Sequence, residues 1–377
     1  MSANHDRALD ALLRRGRLRT LEPRRGFDFA SNDYLALAES SQLRDAVVRA
    51  LERGVPVGAG GSRLLRGNTS EHEALEAEAA AFFGAETALF FGSGFVANTA
   101  IFSTLSARGD LIVYDELIHA SAHEGMRLSK AECRSARHND VQHVEDVVRS
   151  WRADGGTGQI WIAAESLYSM DGDRAPIDDL NAVAARHDAM LVIDEAHATG
   201  VFGPGGRGLA AHLEGQSHVI SLHTCGKALG VMGALVLAPT SIRDFLINRA
   251  RAFIYATAPS PLLAATIRAS LDLIAREPQR IARLHDLIAH AGREFQAHLR
   301  RAPSGSQIQP LIIGSDAGAV ALADAMKAQG FDIRAVRPPT VPEGTARLRM
   351  TITLHADEAK ISALVTALAQ AQAELAA

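Results

Sequence analysis

The sequence predicts an α/β protein, with a large domain built on a mainly parallel sheet and a smaller α+β domain at the C-terminal end. Between about residues 43 and 240, short apolar runs alternate with amphipathic, helix-like stretches, a pattern typical of parallel strands joined by helices. At 377 residues, the chain is also longer than one hydrophobic core normally spans. We therefore divide it into an N-terminal segment (1–42), a large domain (43–240) and a small domain (241–377).

Five apolar runs are the predicted strands of the large domain. They are Thr87–Phe91, Leu111–Asp115, Ile160–Glu165, Met190–Glu195 and Gly233–Pro239. In open α/β sheets, ligands bind at the carboxyl ends of the strands. We therefore expect the chemistry in the glycine, histidine, serine and acidic residues that follow these runs.

The pattern of predicted elements changes after the last of these strands. Long helix-like segments with alanine, leucine and arginine in helical spacing occupy about residues 240–300. The runs IQPLIIG, FDIRAV and ARLRMTIT follow, with an alanine-rich helix after the first and a final helix from about Asp357. This mixture predicts the smaller α+β domain.

Composition and charge exclude several classes of protein. The chain is 47% hydrophobic and 22% charged, with a formal net charge of −4, which is typical of a soluble globular protein and offers no basic surplus for nucleic acid or an anionic membrane. Cys133 and Cys225 lack CxxC spacing, so we expect free thiols and a cytoplasmic protein. The N-terminal stretch has no apolar core of a signal peptide, and the run ALGVMGALVLAP is too short to span a membrane.

Lys227 is the first candidate for catalysis. The chain has only four lysines against 35 arginines, and Lys227 lies in the small-residue turn TCGKALG, directly after a strand-like run. A lysine that forms a Schiff base with a bound aldehyde needs a partly deprotonated amine, which limited solvation favours. Chance survival of one lysine in an arginine-rich chain is the competing interpretation.

The stretch LVIDEAHATG carries a second candidate pair. A strand ends at Asp194 and His197 follows, so the carboxylate could keep a heterocyclic nitrogen protonated while the imidazole contacts a ring oxygen. DEAH also occurs in helicases, but the chain lacks the Walker A element that such an ATPase needs. We also expect no metal site here, because no further ligands with recognisable spacing accompany these residues.

Glycines and a histidine follow two other predicted strands. Gly92 and Gly94 precede a helix predicted to begin near Phe95, where free backbone N–H groups could bind phosphate. The glycines do not complete GxGxxG, so the chain lacks the pair of features that a nicotinamide-binding fold requires, a completed GxGxxG with an acidic residue about 20 positions later. His119 could stack on a flat cofactor, and a capping or buried histidine is the alternative.

Polar residues outside these motifs allow two interpretations each. Arg347 and Arg349 lie on one face of a predicted strand and could grip a carboxylate, or form salt bridges at the surface. Asn32, in ASNDYLAL, could be a ligand contact or a turn residue. Asp171 and Asp173 are predicted turn formers around Gly172.

Taken jointly and in this order, the stretches resemble the α-oxoamine synthases, pyridoxal-phosphate enzymes that condense an amino acid with an acyl thioester and release CO2. The resemblance covers nearly the whole chain and is carried by SNDYL, GAGGSRLLRGNTSEHEALE, FGSGFVAN, RHNDVQHVE, ESLYSMDGD, DEAHATGVFGPGGRG, TCGK, YAT, IQPLIIG and IRAVRPPTVPEGTARLRMT. It implies the fold of the fold-type I pyridoxal-phosphate transferases, pyridoxal 5'-phosphate as cofactor, and a homodimer with a shared active site.

The resemblance implies how the cofactor ring is held. Lys227 would bind the cofactor covalently and later move the substrate proton. Asp194 would pair with the pyridine nitrogen, and His119 would stack on the ring. His197 and Ser169 would contact its oxygen substituent.

The cofactor phosphate has its own implied ligands. They are the backbone groups of Gly94 and Phe95 and the side chain of Thr224. Thr257, in YATAPS, would reach the phosphate from a neighbouring subunit.

For the substrates, the resemblance implies L-alanine and a pimeloyl thioester of coenzyme A or acyl carrier protein. Arg349 would bind the amino-acid carboxylate, with Asn32 and Glu165 nearby, and Arg19 would face the distal end of the acyl chain. The segment before FDFASNDYL, which contains Arg19, is shorter than is usual in the family. The alternative is a sister synthase that uses glycine and another acyl-CoA, of the 5-aminolevulinate synthase or 2-amino-3-ketobutyrate CoA ligase type.

Overall fold

The computed structural model describes residues 2–376 of the chain. Its contacts divide the chain into two compact units. The large unit comprises Leu35–Tyr168 and Arg174–Ile281, and the small unit comprises the chain up to Tyr34, Ser169–Asp173 and the chain from Ala282 onward.

Twelve strands occur in the described residues. In chain order they are β1 (Phe27–Asp28), β2 (Thr87–Phe91), β3 (Leu111–Asp115), β4 (Glu132–Ala136), β5 (Ile160–Glu165), β6 (Met190–Asp194), β7 (Val219–Thr224), β8 (Ala234–Ala238), β9 (Ile308–Gly314), β10 (Phe331–Asp332), β11 (Arg334–Val336) and β12 (Ala346–Thr351).

Thirteen α-helices occur in the same residues. They are α1 (Ser2–Arg14), α2 (Ser41–Glu52), α3 (Ser70–Phe83), α4 (Gly94–Thr104), α5 (Ala120–Leu128), α6 (Val141–Ala153), α7 (Ile177–Arg186), α8 (Thr240–Arg249), α9 (Arg251–Ile254), α10 (Pro261–Arg276), α11 (Pro278–Leu299), α12 (Asp316–Ala328) and α13 (Glu358–Ala376). A π-helical turn (Arg63–Gly67) and a 3-10 turn (Pro204–Gly206) complete the helical elements described.

The large unit is built on a seven-stranded sheet with the order β2-β8-β7-β6-β5-β3-β4. The pairs β3–β4, β3–β5, β5–β6 and β6–β7 are parallel. Strand β8 runs antiparallel to both of its neighbours. The predicted α/β fold with a mainly parallel sheet is therefore confirmed.

Alternate side chains of the central strands enter two separate cores, as the two-residue period of a strand requires. On one face, Ile112 and Val192 belong to an apolar cluster with residues of α4, α5 and α9. On the other face, Val113 and Ile193 belong to a cluster with residues of α6 and α7. Because both faces are covered, ligands can reach the parallel strands only at their ends.

The small unit contains an antiparallel sheet with the order β11-β12-β9 and a two-stranded parallel pair of β1 with β10. Helix α12 packs against this sheet and against α13. All six residues of the central strand β12 are buried, including its two arginines.

The predicted strands match the observed ones closely, and two further strands complete the large sheet. β2, β3 and β5 have the predicted bounds, while β6 and β8 are shorter by one or two residues. Strand β4 (ECRSA) was absent from the prediction because it is an edge strand with few apolar side chains. Strand β7 corresponds to the strand-like run before Lys227, and it was not among the five predicted strands because its polar residues, all buried, weaken its apolar signal.

The boundaries of the compact units differ from the three predicted segments. The large unit continues beyond residue 240 to Ile281, because α10 packs against α2 and α3. The predicted N-terminal segment is divided at Tyr34, because Phe27 and Asp28 pair with strand β10 of the small unit. None of the helices among the described residues has the length and apolar character needed to cross a membrane.

Candidate active site

Asp194 ends strand β6 at the carboxyl edge of the large sheet, where it is almost completely buried. One carboxylate oxygen, Oδ1, accepts a hydrogen bond from the backbone N–H of Ala196 at 2.9 Å. The other, Oδ2, accepts one from the side chain of Asn98 at 2.7 Å. Glu165, the last residue of β5, lies opposite Asp194 in the strand register and is also buried.

Lys227 lies in a half-buried turn directly after β7. The turn is closed by a hydrogen bond of 2.9 Å from the backbone N–H of Gly230 to the carbonyl of Lys227. Gly230 has φ 69°, and a methyl group there would lie 2.6 Å from the backbone nitrogen of Ala38. Only glycine suits this position, so the sequence of the turn fixes where the lysine emerges.

His119 caps helix α5, which follows strand β3. Burial lowers the pKa of the imidazole, the positive charge of Lys227 lowers it further, and the carboxylate of Asp194 opposes both effects. His119 therefore feels the charges of both other candidate residues, so the three lie in one electrostatic environment. A lowered pKa favours the neutral form of the imidazole, whose planar ring can stack on a flat cofactor.

The start of helix α4 provides free backbone N–H groups beside a hydroxyl group. Helix α4 begins at Gly94, after the capping residue Ser93. A methyl group on Gly94 would lie 3.6 Å from Oγ1 of Thr224, which ends β7. Phe95 is the next residue of the first turn. The N–H groups of this first turn can bind an anion, as the sequence predicts for a phosphate. The hydroxyl group of Thr224 donates to the carbonyl oxygen of Gly233 at 3.3 Å, so its predicted contact with the phosphate stays a prediction.

The other predicted ligands of the large unit are less well defined by their contacts. His197 is buried in the segment after β6. Thr257 lies in an exposed loop between α9 and α10. Its role towards a neighbouring subunit stays a prediction.

In the small unit, Arg349 is only 8% exposed and donates three hydrogen bonds. Its acceptors are the carbonyl oxygen of Ser169 at 2.6 Å, Oγ1 of Thr351 at 2.9 Å and Oδ1 of Asn32 at 3.0 Å. Within the described residues, all of its hydrogen-bond partners are neutral oxygens. A guanidinium held in this way keeps its positive charge for a carboxylate ligand.

The interpretation of Arg347 and Arg349 as a salt-bridged surface pair is wrong, since both are buried. Arg347 forms an ion pair with Asp171, in the turn around Gly172. That turn places Gly172 at φ 70°. Asp171 is therefore a turn residue that also balances a buried charge. Ser169 joins this unit through its backbone carbonyl, and the predicted contact of its hydroxyl group with the cofactor stays a prediction.

Arg19 lines a cavity of about 190 Å³ within the small unit. Its Nη2 donates a hydrogen bond of 3.1 Å to Oγ1 of Thr340, another lining residue. Arg17 and Arg337 line the same cavity. Arg17 is already paired with Asp316 and Glu343, at 2.6 Å from each. The cavity is thus positively charged, as expected for a site that binds an acidic group.

Sequence reasoning missed Asn98, Ser121, Arg17 and Arg337. Asn98 was detectable in principle, because it is a polar residue inside the apolar helix GFVANTAIFST. Ser121, Arg17 and Arg337 carry no such signal, since serines and arginines near loops are common. The structure identifies them by their contacts alone.

The residues at the edge of the large sheet fit a pyridoxal phosphate group. Lys227 can bind its aldehyde, Asp194 can hold a proton on its ring nitrogen, and the start of α4 can bind its phosphate. Among residues 2–376, no group of three or more histidine, cysteine, aspartate and glutamate side chains could hold a metal ion. Fold and site together define a pyridoxal-phosphate-dependent enzyme.

Comparisons with known proteins agree with this class. The sequence pattern of the family "Aminotransferase class I and II" matches residues 24–368. An 8-amino-7-oxononanoate synthase from Chromobacterium violaceum is 42% identical over 348 residues, which cover 92% of this chain and 89% of that protein. The chain belongs to the class I and II aminotransferase family and, within it, to the α-oxoamine synthases.

Solved structures show the same fold. The crystal structure of 8-amino-7-oxononanoate synthase from Francisella tularensis has a TM-score of 0.79 and 28% identity, covering 93% of this chain and 99% of that one. A high-resolution structure of SPT with PLP has a TM-score of 0.85 and 26% identity, covering 92% of this chain and 87% of that one. The predicted fold-type I architecture and the pyridoxal phosphate cofactor are thus confirmed.

Proposed function

We propose that this protein condenses L-alanine with a pimeloyl thioester, releasing CO2 and the thiol carrier, and so forms 8-amino-7-oxononanoate for biotin biosynthesis. The observation that carries the proposal is the arrangement of Lys227, Asp194 and His119 at the carboxyl edge of the large sheet. The named relatives of about 40% identity over more than 90% of the chain support the choice of substrates.

When bound, pyridoxal phosphate supplies the electron sink that makes carbanion formation and loss of CO2 at an amino-acid α-carbon accessible. The chain's own part begins with Lys227, whose ε-amine binds the cofactor aldehyde and afterwards removes the α-proton as a general base. Asp194 keeps a proton on the ring nitrogen. His119 stacks on the ring, while His197 and Ser169 bind its oxygen substituent.

The remaining residues bind and orient. Backbone N–H groups of Gly94 and Phe95, with the hydroxyl group of Thr224, bind the phosphate. Arg349 binds the carboxylate of alanine, with its guanidinium held by Asn32. Glu165, buried at the end of β5, is assigned to the amino-acid site.

The arginine-lined cavity in the small unit supports the proposal that the acyl chain of the substrate ends in a carboxylate. Its positive charges suit the distal carboxylate of a pimeloyl group. Arg19 and Arg337 both suit this contact, because their hydrogen bonds, to Thr340 and to the carbonyl oxygen of Gly16, involve neutral oxygens. We assign the contact to Arg19. Arg17 contributes less, since two acidic side chains already neutralise it.

A homodimer with a shared active site is part of the proposal. Leu65 and Tyr255 are 86% and 71% exposed, and Val57 and Leu64 are also exposed. The segments that carry them are joined by a hydrogen bond of 2.9 Å from the N–H of Ala258 to the carbonyl of Gly61. Clustered exposed apolar side chains mark protein interfaces. Light scattering would show a dimer for the wild type and a monomer for Leu65→Glu; a monomeric wild type would contradict this part.

Thr257 lies beside the same exposed surface, two residues after Tyr255 in the exposed loop. A second subunit covering this loop would bring the threonine hydroxyl group towards a neighbouring phosphate site. A cytoplasmic location also stays part of the proposal, supported by the two free thiols.

The test is an assay of the purified holoenzyme for amino-ketone product and thiol release. L-alanine with pimeloyl-CoA or pimeloyl-acyl carrier protein is expected to give product, and Lys227→Ala is the matched inactive control. Turnover with glycine and a different acyl-CoA, but not with alanine, would instead assign a sister synthase activity. No turnover with either pair would contradict the proposal.

A further inference from the structure

We propose that Asn98 is a positioning residue of the cofactor site, whose single carboxamide holds both Asp194 and His119 in place. Resting on the roles proposed above for those two residues, Asn98 itself takes no chemical step. It acts by fixing the orientation of the carboxylate of Asp194 and the proton position of His119.

The first half of the arrangement joins Asn98 to Asp194. Asn98 lies in helix α4 and is 2% exposed. Its Nδ2 is 2.7 Å from Oδ2 of Asp194. An ionised carboxylate only accepts hydrogen bonds, so the NH2 group, and not the oxygen, of the carboxamide faces it. The hydrogen bond therefore fixes the orientation of the carboxylate group.

The second half runs through Ser121 to His119. The same Nδ2 of Asn98 is 2.9 Å from Oγ of Ser121, which is 2.8 Å from Nδ1 of His119. The backbone N–H of Ser121 also donates to Nδ1, at 3.2 Å. Because Nδ1 accepts that bond, it carries no proton, and the serine hydroxyl group must donate to it. Ser121 therefore accepts from Asn98 and donates to His119.

A single assignment of the hydrogen atoms satisfies every hydrogen bond in this network. Asn98 uses one amide hydrogen for Asp194 and the other for Ser121, and the proton of neutral His119 lies on Nε2. The lowered pKa of His119 supports the same neutral form. A buried asparagine with a purely structural role needs hydrogen-bond partners, but those partners need not be residues of the site. Here the two partners of Asn98 connect it to Asp194 and His119.

Close packing of helices α4 and α5 allows the direct hydrogen bond between Asn98 and Ser121. Gly125 of α5 faces α4, and a methyl group on it would lie 2.9 Å from the carbonyl oxygen of Asn98 and 3.1 Å from Cα of Thr99. The missing side chain lets α5 approach the backbone of α4. Ser121, one helical turn earlier on α5, is thereby brought within hydrogen-bond distance of Asn98.

The test compares three variants as apoproteins titrated with pyridoxal phosphate. Asn98→Asp keeps the shape of the side chain and replaces the donor with an oxygen, while Asn98→Ala removes the group. Asn181→Ala is the matched control. Asn181 lies on α7, away from this network, and its carboxamide oxygen is 2.7 Å from Nε2 of His218. Circular dichroism first establishes that each variant is folded.

Both variants at Asn98 are expected to raise the dissociation constant for pyridoxal phosphate by roughly tenfold or more, as the loss of a hydrogen bond to a charged group implies. They should also shift the pH at which the visible absorbance of the bound cofactor changes, because Asp194 then holds the ring proton less firmly. Asn181→Ala should change neither quantity.

Wild-type affinity and an unmoved pH transition in folded Asn98→Asp would overturn the positioning role. So would equal losses in Asn181→Ala, or failure of both variants at Asn98 to fold, since either result assigns Asn98 to general stability. The wild type is measured first, and its failure to bind pyridoxal phosphate would instead overturn the cofactor site on which the proposed function depends.

Discussion

Nη2 of Arg349 donates a hydrogen bond of 3.0 Å to Oδ1 of Asn32, across 317 residues of sequence. Neither side chain has an obvious partner in the sequence. In the fold, strand β12 brings the arginine to the asparagine, which also accepts a hydrogen bond from the hydroxyl group of Tyr34 at 3.2 Å. The guanidinium is thus oriented by neutral groups and keeps its charge for a ligand.

Replacing Arg349 with lysine should weaken the binding of alanine and leave the binding of the acyl thioester unchanged. Lysine keeps the charge but loses the planar fork that matches a carboxylate, so kcat/KM for L-alanine should fall by roughly 10- to 100-fold. Steady-state kinetics with each substrate varied in turn measures this. Arg334→Lys, at a half-exposed arginine of β11 paired with Glu22 and Asp332, is the control. An unchanged kcat/KM for alanine would remove Arg349 from the substrate site.

Arg347 should contribute to stability and not to alanine binding. Its buried guanidinium pairs with Asp171, so Arg347→Met leaves a partly buried carboxylate without its counter-charge. We expect the free energy of unfolding of the apoprotein to fall by about 1–3 kcal/mol, as measured by chemical denaturation. Adding Asp171→Asn to Arg347→Met should cost less than the sum of the two single changes. Strict additivity would show that the ion pair does not stabilise the fold.

His72 should make stability depend on pH. Its Nε2 lies 2.7 Å from the carbonyl oxygen of Pro259, and its Nδ1 accepts from the N–H of Thr69 at 3.2 Å, so the folded ring is neutral. Burial lowers the pKa of His72 in the folded protein. As pH falls below about 6.5, the unfolded chain therefore takes up the proton first, and stability is lost.

Glutamine at position 72 keeps a donor and an acceptor but does not titrate. His72→Gln should therefore lose less unfolding free energy than the wild type when the pH is lowered from about 7.5 to about 5. Denaturant titrations of the apoprotein at the two pH values give the comparison. His298→Gln, at a half-exposed histidine of α11, serves as the control and should behave like the wild type. Identical pH dependence in all three proteins would contradict the assignment.

The sequence predicts the large unit better than the small one, for physical reasons. Strands such as β5 (IWIAAE) are buried on both faces and read as continuous apolar runs. Asp194 ends the apolar strand β6, so the end of that strand alone indicates where the residue lies. Lys227 follows β7, whose apolar signal is weaker, and the small-residue turn TCGKALG indicates its place. Edge strand β4 (ECRSA) has no such pattern, and its pairing with β3 depends on the tertiary fold.

Partners that are distant in the sequence could not be derived from it. Periodicity shows that Arg347 and Arg349 share a strand face with Thr351, but the other two acceptors of Arg349, Ser169 and Asn32, come from distant segments of the chain. Whether an arginine is at the surface or buried depends on which segments cover it. The same holds for Asn98, whose polar side chain inside an apolar helix indicates a buried partner without naming it.

The central claim is that Lys227 carries the cofactor. Its most direct test is mass spectrometry of the wild-type holoenzyme after borohydride reduction and proteolysis. The account predicts a pyridoxyl group on the peptide that contains Lys227, and a visible absorbance band that borohydride bleaches. Modification of Lys130, Lys327 or Lys360 instead, or of no lysine at all, would contradict it.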